Sequence, residues 1–347
     1  MNSKQFGGKL NSSLKEWYAQ SLQWQKGKFQ NAIPTQTGID WRKLPGMLCK
    51  QIKGHPQGMP KQALPLQDFD AGEFLNKQNE PAYAWFGHSA LALRLDGFNI
   101  LIDPMLGQDA SPIGPARTKR FSERSLEQIE LMPDLDLVLI SHDHYDHLDM
   151  NSILKLESKV KSFVVALGLK RHLIAWGIDA SRIEEMDWWD QKQIGNLEIH
   201  FTPSRHFSGR GLSSMARCLW GGWVLKGADH SIWFSGDGGY GPHFKEIGER
   251  FGSFDLAFME CGQYCVDWPD IHMFPEESVQ AALDAGVKIA IPVHWAGFNL
   301  SYQHAWFEPI EDFSKHAKAN KLNWRSPLPG KVYAIRETST EWWHEHK

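Results

Sequence analysis

The chain has 347 residues, enough for one large domain or two ordinary ones, and its 42% hydrophobic content is usual for a globular protein. No apolar run approaches the ~20 residues that cross a bilayer, and residues 1–27 are polar with no signal core, so a cytoplasmic location is expected. A net charge of −4 argues against a nucleic-acid partner, which calls for a basic face. The four cysteines, Cys49, Cys218, Cys261 and Cys265, form no framework spacing and read as reduced thiols.

Residues 1–80 read as an extension packed on the core, and 81–347 as the main domain. Leu14, Tyr18 and Leu22 recur at helical spacing, which predicts a short amphipathic helix over 14–24. Pro34, Pro45, Pro56, Pro60 and Pro65 then favour irregular chain. From Tyr83-Ala84-Trp85-Phe86 the texture changes to a β-meander, with strands over 83–86, 90–95 and 99–102. A loop over 107–125 carries Arg117, Lys119, Arg120 and Arg124. A buried strand follows, with Leu135 and Leu137-Val138-Leu139-Ile140 interrupted only by Asp136.

That strand ends in Ser141-His142-Asp143-His144-Tyr145-Asp146-His147-Leu148-Asp149. So many titratable groups at the mouth of an apolar strand are costly to bury unless something pairs with them. Imidazole and carboxylate together suit Zn²⁺ and similar ions. His142 and His144, two apart, point to one side of extended backbone. Asp146 and His147 follow where the chain must turn, so one loop can serve two adjacent metals. The bland alternative is a solvated, His-rich turn.

Further on, a helix is expected over 149–158, a strand over 163–166, a helix over 168–176 and strands over 197–202, 220–225, 231–235, 256–259 and 289–293. Another helix is expected over 275–285, with Glu276 and Glu277 favourable in its first turn. Three of these later strands end in metal-capable residues: His206, Asp237 and His294. Meanders followed by strands that alternate with helices fit two sheets packed face to face, with helices outside. Gly236-x-Gly238-x-x-Gly241 matches a dinucleotide fingerprint. Asp237, however, would set a carboxylate against a pyrophosphate, and Pro242 follows directly.

The set His142-x-His144-x-Asp146-His147, then His206, Asp237 and His294, resembles the metallo-β-lactamase superfamily, whose fold is an αββα sandwich. Trp85-Phe86-Gly87-His88-Ser89, Ile102-Asp103-Pro104, Ser111-Pro112-x-Gly-Pro115, Lys119-Arg120-Phe121, His272-Met273-Phe274-Pro275-Glu276-Glu277 and His294-Trp295-x-x-Phe298 are similar to the N-acyl-phosphatidylethanolamine phospholipase D group and its bacterial relatives. The likeness covers 83–335. Before that, only Trp41 and its surroundings match.

This resemblance implies two Zn²⁺ per chain, with Mn²⁺ or Fe as substitutes. His142, His144 and His206 would hold one, Asp146, His147 and His294 the other, and Asp237 would bridge both. A hydroxide between the ions would attack a phosphodiester, and Asp146 is a candidate to orient it. His272 resembles a histidine beside the substrate phosphate, able to stabilise charge or donate a proton; a structural histidine at a helix start is the alternative. Asp103 resembles the superfamily's early structural aspartate. Asp143 and Asp149 are candidates to orient ligating imidazoles. His88 reads as structural, its ring satisfied by backbone beneath the site.

The implied activity is phosphodiester hydrolysis of a small-molecule or lipid substrate, giving phosphatidic acid and an N-acylethanolamine from the lipid. A lactonase or small cyclic phosphodiesterase is the first alternative, and a non-enzymatic metal-binding or sensing module the second. The phospholipase relatives suggest a homodimer and peripheral membrane contact. Arg117, Lys119 and Arg120 would meet an anionic substrate or form a solvated face. Trp188, Trp189, Trp268, Trp295 and Trp306 would line an acyl cavity, meet a membrane interface or pack in the core.

Overall fold

The apolar runs become strands of two seven-stranded mixed sheets. The computed structural model describes residues 3–37, 44–77, 80–111, 118–211 and 214–347; Trp41, Pro112, Gly114, Pro115 and Arg117 lie outside them. The first sheet runs in the order Val332–Ala334, Ala82–Trp85, Leu91–Leu95, Phe98–Ile102, Leu135–Ile140, Val160–Ala166, Ile183–Met186. The second runs Asn323–Trp324, Ile289–Val293, Leu256–Glu260, Ser231–Phe234, Gly222–Lys226, Leu197–Thr202, Gln191–Ile194. Each sheet is antiparallel in one half and parallel in the other. Parallel strands covered on both faces need continuous apolar runs, and Leu137–Ile140 and Phe163–Ala166 are buried throughout.

Helices Met150–Leu156 and Lys170–Ala175 follow strands of the first sheet and bury Ile153, Leu156 and Leu173. Pro275–Asp284 packs on the Leu256–Glu260 strand and on Glu308–Ala319. Helices His243–Phe251 and Glu308–Ala319 were not expected from the sequence, although Phe244, Ile247 and Phe251 hold helical spacing.

The extension differs from expectation. Its first helix is only Ser12–Tyr18, capped by Asn11 Oδ1, which accepts from the Leu14 amide. The buried Tyr18 ring packs on Trp24 and Phe29 at 5.5 and 5.7 Å, which requires the chain to reverse, and Trp24–Gln25 pairs with Lys28–Phe29. Leu22, expected on the apolar face, is therefore 84% exposed. The proline-punctuated stretch read as irregular contains helix Leu44–Lys53, and helix Ala71–Asn76 follows it. Tyr18, Phe29, Leu64, Phe69 and Phe74 all join the main hydrophobic core.

Of the singled-out tryptophans, Trp188, Trp295 and Trp306 are buried in the core and Trp189 is half-buried beneath the Arg250 guanidinium. Arg120 does not stand on a solvated face. It is buried over the Phe298 ring, and its guanidinium donates to the carbonyls of Phe86, Met105 and Gly107. Among the described residues no helix is long and apolar enough to cross a membrane.

Two buried histidines outside the expected ligand set impose an acid limit. Burial, with Arg205 adding to it, holds His243 down at about 3, and burial holds His304 down at about 4. Both are neutral in the fold and take up a proton near pH ~6.5 once unfolded. The unfolded state then binds more protons below that pH, so stability falls as pH drops, by up to about 1.4 kcal/mol per pH unit for each group. Circular dichroism should show Tm falling steeply between about pH 6 and 4. A flat Tm across that range would contradict this.

Candidate metal centre

Strand tips of both sheets meet at one seam. On the first sheet, Phe98–Ile102 delivers Asp103 beside the tip of Leu135–Ile140. Asp103 accepts from the Ser141 amide and hydroxyl at 2.7 and 2.6 Å, and its Oδ2 lies 2.7 Å from His147 Nδ1. The loop then turns through amide contacts from His147 and Leu148 to the His144 carbonyl. On the second sheet, Leu197–Thr202 leads to His206, Ser231–Phe234 to Asp237 and Ile289–Val293 to His294. The sheets are joined here by backbone: the His88 amide donates to the Trp295 carbonyl and the His294 amide to the His88 carbonyl, at 2.8 and 2.9 Å. His88, Asp103 and His294 all have positive φ, at 57°, 44° and 69°, a strained setting for non-glycine residues that gathers at functional sites. Gly262 permits it, because a Cβ there would meet the His294 carbonyl oxygen at 2.0 Å.

Two groups of candidate ligands result. His142 Nε2 lies 2.9 Å from His144 Nδ1, and His206 Nε2 lies 3.2 Å from the same atom. In the second group His294 Nε2 is 3.3 Å and His147 Nε2 3.5 Å from Asp146 Oδ2. Asp237 Oδ2 sits between the groups, 2.9 Å from His294 Nε2, 3.0 Å from His147 Nε2 and 3.9 Å from both His142 and His206 Nε2. Tetrahedral Zn²⁺ with bonds of ~2.0–2.1 Å spaces its ligand atoms by about 3.3 Å.

The outer contacts prepare these nitrogens. His206 Nδ1 donates to the Ile271 carbonyl at 2.9 Å, so its Nε2 carries a lone pair. Among the described residues Asp237 Oδ1 is buried without a hydrogen-bond partner. Burial works against ionisation of Asp237, but His147 and His294 outweigh it and hold the carboxyl well below the usual range. Burial likewise opposes charge on His147, yet Asp237 and Asp146 push it up to about 10. Burial and neighbouring imidazoles hold His142 and His206 well below the ordinary value. Neutral imidazoles on the His142 and His206 side, and on the other side a carboxylate that draws positive charge onto His147 and His294, form a donor set that fits divalent cations.

The remaining expected residues fall as follows. The His88 ring contacts a side chain rather than backbone: its Nε2 lies 2.8 Å from Asp146 Oδ2, while Nδ1 has no hydrogen-bond partner among the described residues. Asp143 faces no expected ligand; it accepts from the Gly209 amide at 2.6 Å and lies 3.4 Å from His172 Nε2. Asp149 caps helix Met150–Leu156 through the Ser152 amide, 2.8 Å, and orients no imidazole. The His272 ring lies 5.1 Å from that of His206 and lines a cavity of ≈ 410 Å³. His144, Asp146 and Asp237 also border this cavity, and Met47, Phe207, Met215, Trp268, Ile271 and Leu300 give it apolar walls.

Sequence reasoning missed Glu260, although it ends an apolar strand as Asp237 and His294 nearly do. Fully buried, it faces His272 Nδ1 at 3.1 Å and His294 Nδ1 at 3.5 Å and accepts from the Met273 amide at 3.0 Å. Glu260→Gln should lower kcat/KM by about 10–100-fold, the usual cost of losing a partner that orients a ligand. Steady-state kinetics with metal content measured in parallel would check this, and an unchanged kcat/KM would contradict it.

A sandwich of this build with such a cluster at its seam defines a metal-dependent hydrolase. The chain belongs to the beta-lactamase superfamily: the family model described as Beta-lactamase superfamily domain matches residues 98–295. An uncharacterized protein of Mycobacterium tuberculosis is 36% identical over 92% of this chain and 86% of its own length. N-acyl-phosphatidylethanolamine-hydrolyzing phospholipase D 1 of Caenorhabditis elegans is 32% identical over 71% of this chain and 72% of that protein. Among solved structures, Igni18, a metallo hydrolase from the archaeon Ignicoccus hospitalis, aligns with a TM-score of 0.56 at 22% identity over 74% of this chain and 98% of its own. This last likeness concerns the fold alone.

Proposed function

We propose that the chain is a binuclear zinc phosphodiesterase of the N-acyl-phosphatidylethanolamine phospholipase D type. The observation that carries this is the convergence of His142, His144 and His206 on one side of Asp237 Oδ2, and of Asp146, His147 and His294 on the other. Two divalent ions bound there supply a water of lowered pKa and a charge clamp for a phosphoryl group. Asp237 would hold both ions, and Asp146, held by His88, would orient the water. His272, held by Glu260 at the cavity wall, takes up charge on the phosphoryl oxygens or delivers a proton to the leaving oxygen.

The cavity supports a lipid. Beside Asp146 and Asp237 its lining combines methionine, phenylalanine, tryptophan, isoleucine and leucine with Gln36, Thr37, Gln263 and Asp267, and the apolar part suits a lipid chain next to a phosphodiester. The same walls disfavour a lactonase or small cyclic phosphodiesterase, and a full ligand set disfavours a non-enzymatic module. The test is hydrolysis of bis-p-nitrophenyl phosphate, and of N-acyl-phosphatidylethanolamine in mixed micelles, by zinc-reconstituted protein before and after chelation. Both should be cleaved, with activity lost to the chelator and restored by zinc. Two bound ions with neither substrate cleaved would overturn the phosphodiesterase assignment and turn attention to lactones.

A further inference from the structure

We propose that Asn31 is a positioning residue for one half of the metal centre, so that the N-terminal extension sets the affinity for one ion of the two. This rests on the assignment of the two ligand groups above. His206 stands in an irregular loop after the Leu197–Thr202 strand, where no neighbouring strand takes up its peptide groups. A single side-chain amide does so instead. The His206 amide donates to Asn31 Oδ1 at 3.1 Å, and Asn31 Nδ2 donates to the His206 carbonyl at 2.8 Å, across 175 positions of sequence. Asn31 is itself fixed, because the buried Trp220 indole donates to its Oδ1 at 3.1 Å. The neighbouring Arg205 ties down the same stretch, donating to the Pro34 carbonyl at 3.0 Å and to Thr35 Oγ1 at 3.1 Å.

The chemistry is specific to asparagine. The position needs one acceptor and one donor on a short, planar group. Aspartate supplies only the acceptor, alanine neither, and glutamine is a methylene too long.

Among the described residues, the other ligand group makes no hydrogen bond with the extension. His147 is held by Asp103, Asp146 by His88, and His294 by the Gly262 carbonyl at 3.3 Å and by Glu260. All of these lie on strand ends or tight loops of the sandwich. Loss of Asn31 therefore releases the backbone under His206, whose ring stays on Ile271, and leaves the His147–His294 side intact.

The expected result is asymmetric. Orienting partners of metal ligands are worth about 10–100-fold in metal affinity. In Asn31→Ala, one ion should bind about 10–100-fold more weakly and the other as in the unaltered protein. Asn31→Asp, which keeps the acceptor and loses the donor, should fall between, and His206→Ala should weaken the same ion. The experiment is titration of chelator-stripped, full-length protein with Zn²⁺ against a competing chromophoric chelator. The visible spectrum of Co²⁺ at one and two equivalents gives a second readout, and Tm of the stripped protein serves as a fold control. Asn31→Ala that binds both ions with unaltered affinity would overturn the proposal, whatever its Tm. So would an equal loss of both ions. An unaltered chain that holds fewer than two ions would overturn the underlying metal-site reading, and the proposal with it.

Discussion

Asp237→Asn is expected to lower phosphodiester hydrolysis by on the order of 10³-fold with the fold retained. The turn that delivers Asp237 passes through Gly236 at φ 65°, where a Cβ would meet the Gly221 carbonyl oxygen at 2.2 Å, so the carboxylate is set by backbone rather than by a flexible arm. Its Oδ2 lies within 3.9 Å of ring nitrogens on His142, His147, His206 and His294. Asparagine keeps the shape and removes the only charge common to both ligand groups. The neutral amide would hold two cations less well, and the expected loss corresponds to about 1.4 kcal/mol per factor of ten in rate. Steady-state rates together with metal content test this. Activity within tenfold of the unaltered protein would contradict the bridging role.

Trp295→Ala should destabilise the chain by about 3–5 kcal/mol, the range for deleting a large aromatic from a packed core. The Trp295 ring is fully buried, with centroids of Trp85, Trp342, Trp343 and Trp306 at 5.4, 5.6, 6.0 and 6.5 Å, and its Nε1 donates to the Pro292 carbonyl at 2.9 Å. Its backbone carbonyl accepts from His88, and His294 precedes it, so the cavity opens directly under the seam. Urea denaturation measures the loss, and Trp295→Phe should recover part of it. A loss below about 1 kcal/mol would mean that the surrounding indoles collapse into the gap.

The two face-to-face sheets were legible because apolar strands are local signals. So was the convergence of His142, His144, Asp146, His147, His206, Asp237 and His294, since each candidate ligand stands at or just beyond a strand end. What escaped acts across the fold. Asn31 looks like an ordinary loop residue until His206, far along the chain, is folded against it. Arg120 reads as part of a basic surface, yet its acceptors are carbonyls of residues 86, 105 and 107. Asp143 and Asp149 sit in the right motif, but one faces His172 and the other caps a helix. Helical spacing carried 14–24 too far because burial of Tyr18 against Trp24 and Phe29 outweighs local preference.

The order of the first sheet has a consequence for how the chain is made. Strand Ala82–Trp85 pairs on one side with Leu91–Leu95, which follows at once, and on the other with Val332–Ala334. During synthesis that second edge stays open while roughly 250 further residues emerge, on the order of 10–50 s at about 5–20 residues per second. An unpaired apolar edge is a template for another nascent chain. The three residues Val332–Ala334 thus act as a late latch, and the interval before they arrive is when the growing polypeptide is most exposed to misassembly.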